Sequence, residues 1–454
     1  MQFERGHFDG AGLAATSTPP PQGFSGLLDE PAERFAPSAG RPRPAPVPIG
    51  PLAPPVPVAD SQGCLALDDS RPVRRAEAAL VVLAAALAGL GLVMVYDASG
   101  ILAERYGSTT YFLVRQAAWV VVGAVALLVV RSVDYHFLVR SRRSIVLVTV
   151  ALLVLVLVPG VGAKLNGARR WFRFLGLSLQ PSDFAKLGLV VYLSGFLADP
   201  SRSPRDWRAV LPCLAATGVV VALVALEPDL GTAALLGCVG ASVLFAGGVR
   251  LRVIAAACAL VLPVGAAYAF VRLDYARARL LSFLDPSADP LGAGYHVRQS
   301  LIALSSGGVF GRGLGRGSQK LFFLPEAHTD FIFAIVGEEL GLLGALLVLA
   351  AFAGIVMCAL AISRRAPDRA GSLLALGMGL WIGLQAALNV AVVTASVPTK
   401  GLPLPLVSYG GSSAVATGIA LGVLLNVASH ARGFGRSLAL AQAPQWGAST
   451  GGVA

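Results

Sequence analysis

Long apolar stretches, separated by short polar segments, make up most of the chain after residue 77. The stretches are continuous, as residues 145–158 illustrate, and lack the two-residue alternation of barrel strands. Only helices and closed barrels satisfy their backbone groups in hydrocarbon, so the pattern predicts membrane-spanning helices. Ten spans are predicted, near residues 78–97, 111–130, 144–160, 183–199, 208–226, 230–248, 252–271, 329–362, 371–396 and 404–428.

The chain divides into three segments of different composition. Residues 1–72 contain the runs PPPQG, RPRPAPVP and PLAPPVP, which cannot bury a core and predict a disordered, proline-rich cytoplasmic tail. Residues 73–432 form the predicted transmembrane domain, and residues 433–454 a cytoplasmic C-terminal tail. The predicted fold is therefore an all-α polytopic membrane protein, with a large loop at 272–328 between spans seven and eight.

The distribution of basic residues predicts the orientation of the spans. Arginines cluster in alternate short loops, which the positive-inside rule places in the cytoplasm together with both termini. The large loop then faces the periplasm. These clusters are Arg71/Arg74/Arg75, Arg131/Arg140/Arg142/Arg143, Arg202/Arg205/Arg208, Arg250/Arg252, Arg364/Arg365/Arg369 and Arg432/Arg436.

Two predicted periplasmic loops break this rule. Loop 161–182 carries Lys164, Arg169, Arg170 and Arg173, and loop 272–328 carries seven further cations, including Arg298, Arg312 and Lys320. Cations kept on the outer side indicate either an anionic ligand there, such as a lipid pyrophosphate, or anchoring to lipid headgroups.

Composition supports the membrane assignment and excludes other classes. Of the 454 residues, 55% are hydrophobic and 13% charged, whereas soluble domains have about 25% charged residues. The net charge of +11 is explained by the loop cations, and the chain lacks the stacking-aromatic pattern of a nucleic-acid-binding module. Five scattered cysteines without CxxC spacing argue against a disulfide framework or a thiolate metal site.

The most informative motif is LPEAHTDFIFAIVGEELG at 324–341, which leads from a polar loop into an apolar helix. Thr329 or Asp330 would suit the N-cap of that helix. Alternatively, Asp330 is a general base, kept ionised by the helix dipole, that takes a proton from a sugar hydroxyl. Glu326 and His328 lie beside it and are candidate substrate-binding residues, as is Thr329.

Other charges are predicted inside the spans. Glu338 and Glu339 lie deeper in the same helix, and intramembrane carboxylates are costly enough to suggest function. They would equally serve as supports, paired with Lys186 or an arginine. Asp183 and Lys186 share one helix face and are predicted to form an ion pair.

Two further stretches carry candidate residues. In NGARRWFRFLGLSLQPSDFAK at 166–186, Arg169 and Arg170 would bind phosphate, and Trp171 would lie at the membrane interface. In PTKGLPLPLVSYGGSS at 398–413, prolines and glycines exclude a straight helix, and irregular backbone at membrane depth is typical of a cavity lining. The glycines of 311–317 lack the spacing of a nucleotide-binding loop.

These stretches resemble the SEDS family (shape, elongation, division, sporulation), in particular its FtsW-like branch. The matching segments also include EPDLGTA, DPLGAGYHVRQSLIALSSGG and GRGLG, and they follow the family's order from about residue 166 to the last span. Asp183 stands where the family more often has glutamate, so the acid is kept with a shorter reach.

The resemblance implies a peptidoglycan glycosyltransferase of the bacterial inner membrane that polymerises lipid II at the division septum and releases undecaprenyl pyrophosphate. It places the family's essential aspartate on Asp330. It implies a class B penicillin-binding protein, a transpeptidase, as partner, together with other division proteins. The pyrophosphate would be neutralised by some of the candidate cations, with or without a divalent cation such as Mg²⁺ or Mn²⁺. The expected substrate-binding residues are Arg169, Arg170, Trp171, Lys186, Arg298, Arg312, Lys320, Glu326, His328, Thr329, Ser408 and Tyr409, and the expected supporting residues are Asp183, Glu338, Glu339 and Lys400.

Two alternatives stay open from the sequence. A flippase or transporter of the same lipid would use broken helices and intramembrane charges such as Arg115, Lys186, Glu338 and Glu339. A non-catalytic scaffold of a division complex would use the proline-rich tail, but leaves the HTD motif at the membrane surface without a role.

Overall fold

The computed structural model describes residues 71–104, 107–165, 168–174, 177–272, 274–284, 293–321 and 323–442. The predicted disordered tail, 1–72, lies outside these ranges except for its last two residues, which begin the first helix. Residues 443–454 of the predicted C-terminal tail also lie outside them.

Within the described ranges the chain is mainly helical. The helices are α1 (Arg71–Glu104), α2 (Tyr111–Ser132), α3 (Tyr135–Arg140), α4 (Arg142–Leu157), α5 (Pro181–Leu197), α6 (Trp207–Leu226), α7 (Leu230–Ala246), α8 (Leu251–Arg272), α9 (Asp274–Leu284), α10 (Ala293–Gly307), α11 (Ile332–Arg364), α12 (Arg369–Val393) and α13 (Gly411–Gln442). The strands are β1 (Ala163–Leu165), β2 (Ala168–Phe174) and β3 (Leu177–Leu179).

Each of the ten predicted apolar stretches falls on a helix. Seven of these helices are long and apolar enough to cross a membrane by length and composition, which establishes a polytopic membrane protein. The other three, α4, α5 and α7, have 16 or 17 residues. The count of ten spans and their orientation remain predictions.

The boundaries of the last predicted span, 404–428, are wrong at its start. The helix α13 begins only at Gly411, because Pro403 and Pro405 keep the preceding segment irregular. It then continues to Gln442, so the predicted tail from residue 433 begins within a helix.

The prediction of an all-α fold is also incomplete. The basic segment 161–182 contains an antiparallel sheet with strand order β1-β2-β3. The β2 sequence ARRWFRF is rich in aromatic residues, which favour strands, but runs of three to seven residues give too short a pattern to predict. The predicted loop 272–328 likewise contains two helices, α9 and α10.

The helices pack around α5, which is buried along nearly its whole length. Small residues allow the closest approaches, as where α13 crosses α2. A Cβ atom on Gly418 would lie 2.3 Å from the carbonyl oxygen of Gly123, so this crossing requires glycine.

Ion pairs join helix ends that the sequence places on the same side of the membrane. At one end of the bundle, Glu77 of α1 pairs with Arg131 at the end of α2 and with Arg432 of α13, both at 3.0 Å. At the other end, Asp97 pairs with Lys320 at 2.6 Å. The candidate site lies at this second end.

Candidate functional site

A cavity of about 510 Å³ opens at the end of the bundle where α7 begins and α8 ends. One wall is apolar and comes from α8, with Ala266, Ala267, Ala269 and Phe270. The other walls are polar and come from β2, the turn before α7, helix α9 and the segment 398–401. The cavity is therefore suited to a molecule with both an apolar and a charged part.

Four cations line this cavity: Arg170, Arg277, Arg279 and Lys400. One acid, Asp229, lines it as well and accepts hydrogen bonds from the backbone and side chain of Thr232 at the start of α7. The lining is therefore electropositive, as a site for phosphate groups requires.

The backbone fixes two of these cations. Arg170 donates from Nε to the carbonyl oxygen of Glu227 at 2.9 Å and from Nη2 to that of Pro228. Arg279 donates from Nη1 to the carbonyl oxygen of Thr399 at 3.2 Å. Burial lowers the pKa of Lys400, so an anionic ligand would stabilise its charged form.

Asp330 adjoins the cavity through Gly401. A Cβ atom on Gly401 would lie 2.8 Å from Oδ2 of Asp330, so the absence of a side chain at residue 401 leaves room for the carboxylate. The backbone of Asp330 is held by Asn389, which donates from Nδ2 to its carbonyl oxygen at 2.8 Å.

Burial, followed by the nearby charge of Glu326, raises the pKa of Asp330 to about 7. The expectation that a helix dipole keeps this carboxyl ionised is wrong, as is the N-cap assignment to Thr329 or Asp330. The helix α11 begins at Ile332 with Phe331 as N-cap and no side-chain cap bond. Asp330 instead lies before the helix, and a pKa near the working pH suits a general base.

The residues beside Asp330 form a turn and an aromatic cluster. Glu326 has a φ of 52°, and its carboxylate accepts a hydrogen bond from the Thr329 hydroxyl at 3.0 Å. The His328 ring lies 5.1 Å from that of Phe112 and 5.8 Å from that of Tyr409, and burial lowers the pKa of this histidine. A largely neutral imidazole therefore faces aromatic rings.

The segment 398–413 packs against this turn. The backbone N–H of Tyr409 donates to the carbonyl oxygen of His328 at 2.9 Å. The Ser408 hydroxyl accepts from the backbone N–H of Leu404 at 2.8 Å, which bends its own segment. The structure thus brings together the two motifs that the sequence singled out.

Glu338 and Glu339 serve a different purpose, because their oxygens are occupied by the loop 308–321. Glu338 accepts from the backbone N–H groups of Ser318 and Gln319, and Arg312 lies 3.5 Å away. Glu339 accepts from the N–H groups of Gly315 and Gly317 and from Lys320, which also binds Asp97. Arg312 and Lys320 are engaged in holding this loop onto α11.

The ion pair between Asp183 and Lys186 is present at 2.8 Å and is buried. Lys186 also donates to Oε1 of Gln385 at 2.9 Å, and Asp183 accepts from the Ser412 hydroxyl at 2.7 Å. Pairing of Lys186 with Glu338 or Glu339 is therefore excluded as the arrangement here. The charges suggested for a transport pathway are engaged with fixed partners, and Arg115 donates to the Tyr111 hydroxyl at 2.8 Å.

Of the twelve predicted substrate-binding residues, all of which the structure describes, Arg170 lines the cavity and the other eleven do not. Arg169 and Trp171 flank Arg170 on β2, and successive strand residues point to opposite faces. Arg298 is exposed on α10. Of the predicted cations, the cavity gathers Arg170 and Lys400.

Sequence reasoning missed other residues at the site. In the sequence, Arg277 and Arg279 were two of the seven cations of the predicted loop 272–328, and nothing distinguished them because helix α9 was not predicted. Asp229 and Glu227 belong to the EPDLG turn, where two acids between two apolar stretches were a usable signal. Glu227 is fully buried, burial raises its pKa to about 9, and neither carboxylate oxygen has a hydrogen-bond partner among the described residues.

Among the described residues that line the cavity, Asp229 supplies the one carboxylate, and there is no histidine or cysteine. Among the described residues, the group of three or more convergent His, Cys, Asp or Glu ligand atoms is Asp134, His136 and His430, at the other end of α13. The positive charge of the lining itself comes from arginine and lysine side chains.

Comparisons with known proteins agree with this architecture. The family model of the FtsW, RodA and SpoVE proteins, described as "Cell cycle protein", matches residues 78–433. A protein of Geobacter metallireducens named "Probable peptidoglycan glycosyltransferase FtsW" is 39% identical over 365 residues, 80% of this chain and 97% of that protein. Stage V sporulation protein E of Bacillus subtilis is 37% identical over 359 residues, 78% of this chain and 97% of that protein.

Solved structures agree as well. One, titled "Structural coordination of polymerization and crosslinking by a peptidoglycan synthase complex", has a TM-score of 0.63 at 31% identity and covers 78% of this chain and 97% of its own. The rod shape determining protein RodA of Thermus thermophilus has a TM-score of 0.57 at 28% identity, covering 77% of this chain and 95% of its own. These matches confirm the predicted family and its glycosyltransferase class. The chain belongs to the FtsW/RodA/SpoVE family.

Proposed function

We propose that the chain polymerises lipid II into glycan strands, with Asp330 as the general base. The observation that carries the proposal is the half-buried Asp330 carboxyl, held against Gly401 at the edge of a cation-lined cavity. A base with a pKa of about 7 is partly ionised at neutral pH and can take the proton of an attacking sugar hydroxyl.

The cavity suits the leaving group of this reaction. Displacement of a lipid pyrophosphate develops negative charge at the phosphate, which preorganised cations stabilise. Arg170, Arg279 and Lys400 are in position to do so. The apolar wall from α8, a helix long and apolar enough to cross a membrane, would admit the first part of the lipid chain from the bilayer.

The reaction then proceeds by an in-line exchange at the donor's anomeric carbon. The acceptor hydroxyl oxygen forms the new glycosidic bond as its proton passes to Asp330 Oδ2. The bond to the pyrophosphate oxygen breaks, and undecaprenyl pyrophosphate leaves with the electron pair. The orientation predicted from the basic loops places this site at the periplasmic face.

The test is polymerisation of purified lipid II by the full-length protein together with a class B penicillin-binding protein, with glycan length read on a gel. Asp330→Asn is expected to lower the rate by about 10²- to 10⁴-fold, the usual contribution of a general base. The matched control is Asp206→Asn, which makes the same chemical change at an exposed helix cap where asparagine caps equally well.

A rate for Asp330→Asn equal to that of Asp206→Asn would remove Asp330 as the base. If the wild-type complex made no glycan, the same proteins in vesicles would be assayed for movement of lipid II across the bilayer. Transport under those conditions would make the flippase hypothesis the better one.

A division role is proposed from the motifs PEAHTDF and PTKGLPLPLVSYGGSS and from the names of the relatives. The solved complex that couples polymerisation to crosslinking supports a transpeptidase partner. Depletion of the protein is expected to give filaments that lack septal wall synthesis, measured by incorporation of fluorescent D-amino acids. Rounded cells with intact septa would indicate an elongation role instead.

A further inference from the structure

A cluster of histidine and aspartate side chains lies far from the cavity. His430 follows Gly411, the first residue of α13, by 19 residues, which corresponds to about 28 Å of helix at 1.5 Å per residue. That length is close to the thickness of the hydrocarbon core, about 30 Å. The cluster is therefore at the opposite end of the bundle, on the side predicted to be cytoplasmic.

The cluster brings three elements together. Oδ1 of Asp134, between α2 and α3, lies 2.7 Å from Nδ1 of His136 and 3.5 Å from Nε2 of His430 on α13. One ligand atom from each of these residues lies within 4.8 Å of the other two. The third element is the turn between α11 and α12, where Oδ2 of Asp368 lies 3.6 Å from Nε2 of His136.

The second ring nitrogen of each histidine faces an oxygen atom of the protein. Nδ1 of His430 lies 3.0 Å from the carbonyl oxygen of Asn426, which can only accept, so Nδ1 carries the proton and Nε2 has a free lone pair. Without an ion, Nδ1 of His136 donates to the carboxylate of Asp134, while Asp368 lies 3.6 Å from Nε2 and could receive the proton there once an ion takes the lone pair of Nδ1. Tyr135 fixes Asp368 by donating its hydroxyl to Oδ1 at 2.6 Å.

We propose that Asp134, His136 and His430 bind one divalent transition-metal ion, with zinc as the best-suited ion. Zinc is bound by imidazole nitrogens and carboxylate oxygens at about 2.0–2.2 Å, which separates ligand atoms by about 3.2–3.5 Å. The 3.5 Å separation between Asp134 and His430 already fits, the 2.7 Å separation between Asp134 and His136 would have to lengthen, and the two histidine nitrogens lie within 4.8 Å of each other. Asp368 then takes the place of the carboxylate that orients a metal-bound histidine.

The ligand types select the class of ion. Two imidazoles favour zinc and its neighbours over magnesium, which prefers oxygen ligands. The three ligand side chains are between 34% and 56% exposed, so an ion can enter from the aqueous side. The bound ion would join the loop after α2 to α13 and stiffen this end of the bundle.

The competing explanation is a purely structural cluster. Asp134 caps α3 by accepting from the backbone N–H of His136 at 2.9 Å, and the His136 ring stacks on Tyr135. A hydrogen-bonded cap of this kind needs no metal. The two explanations differ in whether the side chains take up an ion.

The experiment measures zinc affinity of the purified full-length protein in detergent, carrying an affinity tag without histidine, by competition with a chromogenic zinc chelator. The wild type is expected to take up one high-affinity zinc per chain, unaffected by millimolar Mg²⁺. The double variant His136→Ala/His430→Ala is expected to lose it. The matched control is His296→Ala, which removes a histidine elsewhere in the chain.

Two milder variants separate binding from folding. Asp134→Asn keeps a good helix cap but loses the anionic ligand, so it should lose zinc while retaining the wild-type thermal midpoint measured without metal. Asp368→Asn keeps all three ligands and should weaken zinc binding by about 10- to 100-fold. The proposal is overturned if the wild type binds no more zinc than the double variant, or if His296→Ala lowers binding as much.

Discussion

Two groups of carboxylates near the start of α11 show how differently the same chemical group is used. The carboxylates of Glu338 and Glu339 are fully buried, and each accepts hydrogen bonds from at least two backbone N–H groups of the loop 308–321. Asp330 instead lies beside a cavity, with a pKa raised to about 7 by burial and by Glu326. The oxygens of Glu338 and Glu339 are hydrogen-bonded within the protein, whereas the carboxyl of Asp330 is available to a ligand in the cavity.

The difference indicates how to distinguish a structural acid from a functional one. A carboxylate whose oxygens are filled by fixed donors gains stability from them and has little capacity left for a substrate proton. A carboxyl that is desolvated without such donors has its pKa moved toward neutrality, as a general base requires. Removing a carboxylate of the first kind is expected to lower stability, whereas removing one of the second kind is expected to lower activity.

The largest effect on stability is expected at Glu339, whose oxygens are hydrogen-bonded within the protein. Glu339→Gln would leave the largely buried Lys320 with Asp97 as its remaining anion and would weaken the two glycine N–H contacts. Breaking a buried ion pair costs about 3–5 kcal/mol, so the thermal midpoint in detergent should fall strongly. The activity per folded molecule should change little.

Asp330→Asn supplies the comparison for that variant. A neutral amide removes the cost of burying a charge, so its thermal midpoint should equal or slightly exceed that of the wild type. If Asp330→Asn unfolded like Glu339→Gln, the distinction between the two groups would be wrong. Midpoints would be measured by fluorescence-detected unfolding of both purified variants side by side.

A smaller effect is expected where the backbone makes room for Asp330. Gly401→Ala would place a Cβ atom 2.8 Å from Oδ2 and push the carboxylate away from its place beside the cavity. Misplacement of a catalytic group by less than 1 Å should lower the polymerisation rate by about tenfold with little loss of stability.

The control for that variant is Gly100→Ala at the end of α1, where a Cβ atom would meet nothing within 4 Å. Its rate should match that of the wild type. Equal polymerisation rates for the two alanine variants would show that the position of the Asp330 carboxylate does not depend on the absence of a side chain at residue 401.

Most of the helical framework could be predicted from the sequence, since each span is a long apolar run and the physics of the bilayer leaves few alternatives. The sheet β1-β2-β3 and helix α9 could not, because both lie in basic segments outside the long apolar runs. Their shapes depend on packing against the turn at Glu227 and the segment 398–401.

The motifs that form the candidate site could be identified from the sequence, but the contacts between their side chains could not. The HTD motif was visible as a polar run at the membrane surface and PLVSYGG as part of an irregular segment at membrane depth, and the structure joins the two through His328 and Tyr409. The role of Lys320 was not visible, since a cation in a basic loop resembles a ligand-binding residue until its buried partners are known. Long-range pairing of this kind is set by the tertiary fold and leaves no local pattern.

The smallest expected effect tests the charge that surrounds Asp330. Because the anion of Glu326 raises the pKa of Asp330, Glu326→Gln should lower that pKa and shift the acidic limb of the pH–rate profile to lower pH. For the wild type, polymerisation should increase as pH rises through about 7, where the carboxyl loses its proton. The variant should therefore be relatively more active than wild type at pH 6, with equal rates at pH 8, in profiles measured with saturating lipid II. A shift to higher pH, or a loss of rate at every pH, would mean that Glu326 acts on the substrate directly rather than through the ionisation of Asp330.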